Sequence, residues 1–308
     1  MTQSSAPGKI ILFGEHAAVY GRPALAVPVT QVQADVNISD SSRAGIWIDA
    51  PDIRLHAELN TLPSDHPIAA VIHNFLFLSR ISRFPSLEIT ISSTIPVASG
   101  MGSGAAVTVA LTRALAAHLD HSMTDDEVNA FAYEIEKLYH GTPSGIDNTV
   151  VTYARPVYFV KGQLMEMIKV GQPFIIVIAD TGIPAPTKES VSDVRRLWMN
   201  HRSRWESVFD QIGEISFTAR RAIEAGKYEL LGDLMNENHT LLQKLTISSP
   251  DLDQLVEAAR SAGALGAKLS GGGRGGNMIA LVEPDIAEAV AASLKKAGAK
   301  DTIITQVS

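Results

Sequence analysis

Three short segments carry residue types that could handle a phosphate and a hydroxyl. The first, APGKIILFGEHAAVYG (6–21), puts Lys9 at the start of an apolar run and the pair Glu15-His16 just past its end. A lone lysine at a strand flank is most often a solvated residue; set beside a reacting hydroxyl or phosphate, it would supply a cation. Glu15 and His16 directly follow Gly14, where a polar pair need not serve the core, although a single histidine is more often a structural hydrogen bonder.

The second segment, PVASGMGSGAA (96–106), is a glycine-rich loop running into a helical stretch. It is not a GxxxxGK[ST] loop, because no lysine follows the last glycine. Nor is it a dinucleotide fingerprint, because no acidic residue follows a second parallel strand. Gly100, Gly102 and Gly104 lack Cβ atoms, so backbone can approach an anion closely, and the amides at 103–106 would turn their partial positive charge toward it. A merely tight turn would use the same glycines.

The third segment, HGTPSGIDN (140–148), closes a helical run holding Glu134 and Glu136. Pro143 cannot prolong that helix and biases Thr142 toward extended backbone, while Ser144 and Gly145 let a new helix begin with Asp147 in its first turns. A carboxylate there, held near a lysine, stays ionised and can accept or orient a hydroxyl proton; an aspartate that only favours the helix dipole would read the same. Helical period leaves Glu134 and Glu136 both on the flanks of the stripe Val128, Phe131, Ala132, Ile135 and Tyr139, so period does not choose between them.

These segments need a scaffold. A strand is expected at 10–13 and alternating strands at 24–38 and 44–50, forming an antiparallel sheet, then a loop over 51–66, a helix at 68–78 and a half-buried strand at 87–93. Helices follow at 105–119 and 125–140, the latter opened by Thr124 and Glu127 as a capping box. After a short strand at 157–160 and a polar joint, the buried strand 174–180 leads to helices near 188–202, 204–224, 228–243 and 251–261. A strand, a glycine loop and a strand through Val282 come next, with a helix at 284–297 and a last strand at 301–307. The fold class is α+β, with a domain boundary near 165 giving domains 1–165 and 166–308.

With 308 residues, 45% of them hydrophobic and 19% charged, the chain has ample material for a core without staples. The absence of cysteine excludes disulfides, thiolate catalysis and cysteine-ligated zinc. A net charge of -7 with scattered basic residues argues against a nucleic-acid surface. No run is long enough to span a bilayer, FIIVIA (174–179) included, and a cytoplasmic protein is expected.

The three segments and KLSGGGRGGNMIAL (268–281), in this order across nearly the whole chain, resemble the superfamily of galactokinase, homoserine kinase, mevalonate kinase and phosphomevalonate kinase. Glu15-His16 leading into AAVYGRPAL is more similar to the mevalonate kinases than to phosphomevalonate kinases, usually Glu-Tyr there, or galactokinases, whose pair continues into Thr-Asp. The resemblance implies a two-domain α+β fold with an N-terminal ribosomal-protein-S5-like domain, a C-terminal ferredoxin-like α/β-sandwich domain and an active site in the cleft between them. It implies transfer of the ATP γ-phosphoryl to the 5-hydroxyl of mevalonate, with ATP and Mg2+ as cofactors. Its partners would be small molecules, with neither nucleic acid nor membrane, and a homodimer is allowed.

Carried over position by position, Asp147 matches the catalytic aspartate, Glu136 the magnesium-binding glutamate, and Lys9 the lysine near the reacting hydroxyl. Glu15 and His16 match substrate-side positions. Pro96, Ser99, Gly100, Met101, Gly102, Ser103, Gly104 and Ala105 match the ATP phosphate loop, and Gly271, Gly272 and Gly273 the loop that closes on the nucleotide phosphates. Two positions depart from the pattern. Family members usually carry a second, magnesium-binding serine where Gly104 stands, so the metal would lean on Glu136, ATP oxygens, water or Ser103. Arg274 stands in a loop that usually has only glycine and alanine, where it would clamp a phosphate or substrate carboxylate or lie in solvent. The rivals are a kinase acting on phosphomevalonate, the 3-hydroxyl of mevalonate or homoserine, an ATP-dependent decarboxylase, and a non-catalytic sensor; Glu15-His16 argues against the decarboxylase, and Lys9, Glu136 and Asp147 together against the sensor.

Overall fold

A computed structural model describes residues 1–81, 84–96, 99–140 and 143–308. Val97 and Ala98 of the phosphate-loop segment, and Gly141 and Thr142 of the third segment, lie outside the described residues. The chain divides into two compact units: Met1–Gly8, Val32–Pro96 and Gly102–Ala154 form the first, and Lys9–Gln31, Val97–Met101 and Arg155–Ser308 the second. Strands β1 (Thr2–Phe13) and β2 (Ala24–Asp40) thus contribute residues to both.

In the first unit the sheet continues through β3 (Ile46–Ala50), β4 (Leu55–Glu58) and β5 (Leu87–Ser93). β2 pairs antiparallel with β5, from Ala34↔Ser93 to Asp40↔Leu87, and β3 antiparallel with β4. β3 and β5 run parallel, Ile46↔Leu87 to Asp49↔Thr90, where an antiparallel sheet was expected. The connection between them carries β4 and helix α1 (Pro67–Leu78), long enough to return the chain in the same direction. β4 also falls inside 51–66, read from sequence as loop; four residues are too short a run to show alternation among their polar neighbours.

Helices α2 (Ser103–His118), α3 (Asp125–His140) and α4 (Ile146–Tyr153) complete this unit, with α2 packed against α1, α3 and α4. Small residues of α2, Ala105, Ala106, Ala110 and Ala114, are buried in those contacts and let the helices approach closely. The capping box is formed as expected. Glu127 accepts a hydrogen bond from the Thr124 amide at 2.7 Å, and Thr124 Oγ1 accepts one from the Glu127 amide at 3.3 Å.

In the second unit Ala24–Ala26 of β2 pairs with β6 (Val157–Phe159), and β6 with β7 (Glu166–Met167). A separate sheet comprises β8 (Phe174–Asp180), β9 (Gly266–Ser270), β10 (Asn277–Val282) and β11 (Asp301–Val307), antiparallel throughout in the order β11-β8-β10-β9. Taken in sequence as strands one to four, this is the ferredoxin-like order expected for the C-terminal half. Around it lie α5 (Thr187–Asn200), α6 (Arg202–Glu224), α7 (Glu229–Lys244), α8 (Pro250–Ser261) and α9 (Ala287–Lys296); α7 and α8 pack on β9, and α9 on β8 and β11. Every residue of β9 and β10 is buried, and Asn277 pairs with Ser270. The chain between them, 271–276, is therefore a six-residue hairpin loop mounted on the two most deeply covered strands. Among the described residues no helix is long and apolar enough to cross a membrane.

Candidate active site

In the second unit the first motif is a buried polar turn. Gly14 has φ 93°, and a Cβ there would collide with the Pro23 carbonyl and Ala24, so only glycine lets the chain leave β1 at this angle. His16 then holds a left-handed φ of 60° despite its side chain, a strain that clusters at functional sites. Lys9, Glu15 and His16 are each no more than 7% exposed. The backbone amide of Lys9 donates to the Met101 carbonyl at 2.9 Å, tying the first motif to the glycine loop 99–101.

His16 Nε2 lies 3.1 Å from the Gly272 carbonyl. A carbonyl only accepts, so the ring proton sits on Nε2 and Nδ1 keeps its lone pair. Burial drives the His16 pKa down to about 4, against the opposing bond to Gly272 and with help from Arg274. At neutral pH the imidazole is therefore uncharged, a hydrogen-bonding group rather than a cation.

Glu15 does not stand alone: its carboxylate is ion-paired with Lys268 of β9, both side chains essentially without solvent contact. Asn238 Nδ2 lies 3.4 Å from the second carboxylate oxygen, and Lys268 also donates to the Leu269 carbonyl at 2.7 Å. Burial pushes the Glu15 pKa up and the Lys268 pKa down, each opposed by the attraction of the other. Behind them, His239 accepts from the Leu269 amide at 3.3 Å through Nδ1 and meets Asp253 at 3.1 Å through Nε2, its pKa lowered by burial to about 4. Asn277, at the loop's other end, donates to the Ser99 carbonyl at 2.7 Å.

Lys268, Asn238, His239 and Asn277 were not singled out from sequence. Lys268 could have been noticed, since a lysine between Ala267 and Leu269 interrupts an otherwise buried strand. Its partner lies 253 positions away and leaves no local trace. Arg274 is engaged within the second unit. Its guanidinium donates to Asp193 at 2.6 Å and to the Thr246 carbonyl at 3.1 Å.

In the first unit, Gly102 has φ 73° and opens α2 with Ser103 and exposed Gly104 in its first turn. α3 separates the two glutamates that helical period left equivalent. Glu134 points outward and pairs with Lys137 at 2.7 Å, whereas Glu136 is half-buried. Gly145, with φ 81°, opens α4, and half-buried Asp147 is its second residue, as the Pro-Ser-Gly hinge suggested. Among the described residues no three His, Asp or Glu side chains cluster as a metal cage.

The two lowered histidines set a pH dependence. Folded His16 and His239 bind protons only near pH 4, while unfolded imidazoles bind them below about 6.5. Their contribution is present above pH 6.5 and is lost as pH falls toward 4, on the order of 3 kcal/mol for each at most. Urea midpoints measured across that window should fall steeply, and His16→Gln, which keeps a donor for Gly272, should flatten the fall. An equally steep fall in that variant counts against the assignment.

The chain belongs to the GHMP kinases. The family models for the GHMP kinase N-terminal and C-terminal domains match residues 68–155 and 219–300. Within that family its relatives include mevalonate kinases: that of Pyrococcus abyssi is 36% identical, covering 99% of this chain and 95% of the relative, and that of Saccharolobus solfataricus 31%, covering 91% and 90%. Among solved structures, L. major mevalonate kinase in complex with R-mevalonate is similar at TM-score 0.87 and 30% identity, covering 100% of this chain and 96% of that one.

Proposed function

We propose that this protein transfers the γ-phosphoryl group of ATP to the 5-hydroxyl of mevalonate, giving 5-phosphomevalonate and ADP. The observation that carries the reading is 36% identity to a mevalonate kinase over almost the whole of both chains. The presence of Lys9, Glu15-His16, Glu136, Asp147 and both glycine loops supports it. Phosphoryl transfer needs positioning and charge stabilisation more than covalent help, and this set supplies them.

In this reading the amides of 99–105 and of Gly271–Gly273 hold the phosphates, Asp147 accepts or orients the hydroxyl proton, and Lys9 supplies the cation that stabilises developing negative charge. Neutral His16, its Nε2 committed to Gly272, offers Nδ1 to a substrate hydroxyl. Glu15, neutralised by Lys268, holds the substrate-side turn in place. The oxygen donors Glu136 and Ser103 suit magnesium, which keeps several waters and draws ligands from nucleotide phosphates rather than from an all-protein cage. Bound there, the ion would neutralise charge on the phosphates.

Gly104 sits in the first turn of α2, where a Cβ would meet nothing within 4 Å. Gly104→Ser is thus accommodated and adds an oxygen beside Ser103. It should lower the magnesium concentration for half-maximal rate by about threefold or more, a shift of under 1 kcal/mol in binding; an unchanged requirement removes this position from the metal site. The reading itself is tested by ADP release with mevalonate, mevalonate 5-phosphate and homoserine in parallel. Release with mevalonate is expected, and release only with another acceptor overturns it.

A further inference from the structure

Arg274 occupies a position that the chain could have filled more cheaply with glycine. It stands in the run Gly271-Gly272-Gly273-Arg274-Gly275-Gly276, at φ 60°, where an L-residue is strained and glycine is not. A side chain kept at such a point must return something. Its amide donates to the Ile247 carbonyl at 2.8 Å, a bond that any residue could make. The guanidinium does what glycine cannot: Nη1 donates to Asp193 of α5 at 2.6 Å and Nε to the Thr246 carbonyl at 3.1 Å. Thr246 itself is held at φ 59°. The fork thus bridges α5 and the turn after α7.

α5 meets the loop a second time. A Cβ at Gly272 would lie 2.5 Å from Thr187 Oγ1, six residues before Asp193 and about 9 Å along the helix. Opposite, the Gly272 carbonyl accepts from His16, and the Gly276 amide donates to the Ile183 carbonyl at 2.7 Å. The segment between these anchors has bare glycines and no other charged side chain.

We infer that Arg274, through Asp193 and Thr246, is a positioning residue that fastens the 271–276 loop before nucleotide arrives, so that its amides meet the phosphates already ordered. This rests on the kinase reading above and deepens it. A loop ordered in advance spares the entropy otherwise lost on binding, and the gain appears as affinity for the group that the loop holds.

The test compares the full chain with Arg274→Gly, which relieves the backbone strain while removing the fork, and with the exchange Arg274→Asp combined with Asp193→Arg, aspartate being tolerant of the left-handed conformation. In Arg274→Gly the KM for ATP should rise about tenfold while kcat stays within about twofold and the KM for mevalonate holds. Amide hydrogen exchange over 271–276, measured without nucleotide, should quicken in Arg274→Gly and slow again in the double variant, with ATP KM recovering at least in part. Unchanged exchange and unchanged ATP KM in Arg274→Gly overturn the proposal, as does a double variant that recovers neither. Absence of ADP release from the unaltered protein with mevalonate would instead overturn the kinase reading, and the exchange measurement would still decide the role of Arg274.

Discussion

Asp147→Asn is expected to bind ATP and mevalonate as the unaltered protein does and to turn over at least about three orders of magnitude more slowly. Asparagine preserves the shape of the side chain at the second position of α4 and leaves the Gly145 turn and the helix untouched. It loses only the negative charge and the capacity to take a proton. The loss should therefore fall on kcat, with calorimetric affinities for both substrates within a few-fold. A kcat near that of the unaltered protein would remove Asp147 from the chemistry, and a collapse of both affinities would make it a structural residue.

Lys268→Met is the second large effect. The substitution leaves the Glu15 carboxylate sealed in the second unit without Lys268, with the contact to Asn238 and the backbone hydrogen bonds from Glu15 and Gly271 remaining. Breaking a buried pair from one side costs about 3–5 kcal/mol, more than either group's direct contacts would suggest, because an unpaired charge must be kept out of water. Against a total stability of about 5–15 kcal/mol, that should be visible as a large drop in the urea midpoint. Combining Lys268→Met with Glu15→Gln should recover much of the loss, since a neutral amide replaces the orphaned charge. A single variant as stable as the unaltered protein would mean that Glu15 and Lys268 are not paired in solution.

Much of this architecture was legible in the chain because its patterns are local. LEITISS alternates, FIIVIAD is a short unbroken apolar run bounded by Pro173 and Gly182, and the Thr124-Glu127 box marks the first turn of α3; each element was placed within a residue or two. β4 and the parallel pairing of β3 with β5 were not legible, since one is four residues long and the other depends on a crossover between distant segments. The candidate segments stood out because glycine, lysine and acidic residues break the apolar rhythm at the ends of elements. What sequence could not supply was pairing. Glu15 with Lys268, and Arg274 with Asp193, join residues 253 and 81 positions apart.

The division of the chain has a consequence for its synthesis. Residues Lys9–Gln31, with fully buried Leu12, Phe13 and Leu25, belong to a unit whose remaining residues are nearly all Arg155–Ser308. A ribosome that has passed Ala154 has made everything the other unit needs, yet it has left this early segment without most of its lining. Folding during synthesis therefore cannot be completed unit by unit: this apolar segment must wait, unsatisfied and open to mispairing, for residues made more than a hundred positions after it. Its flanks of Lys9, Arg22 and Pro23 are the kind of residues that discourage such mispairing during the delay.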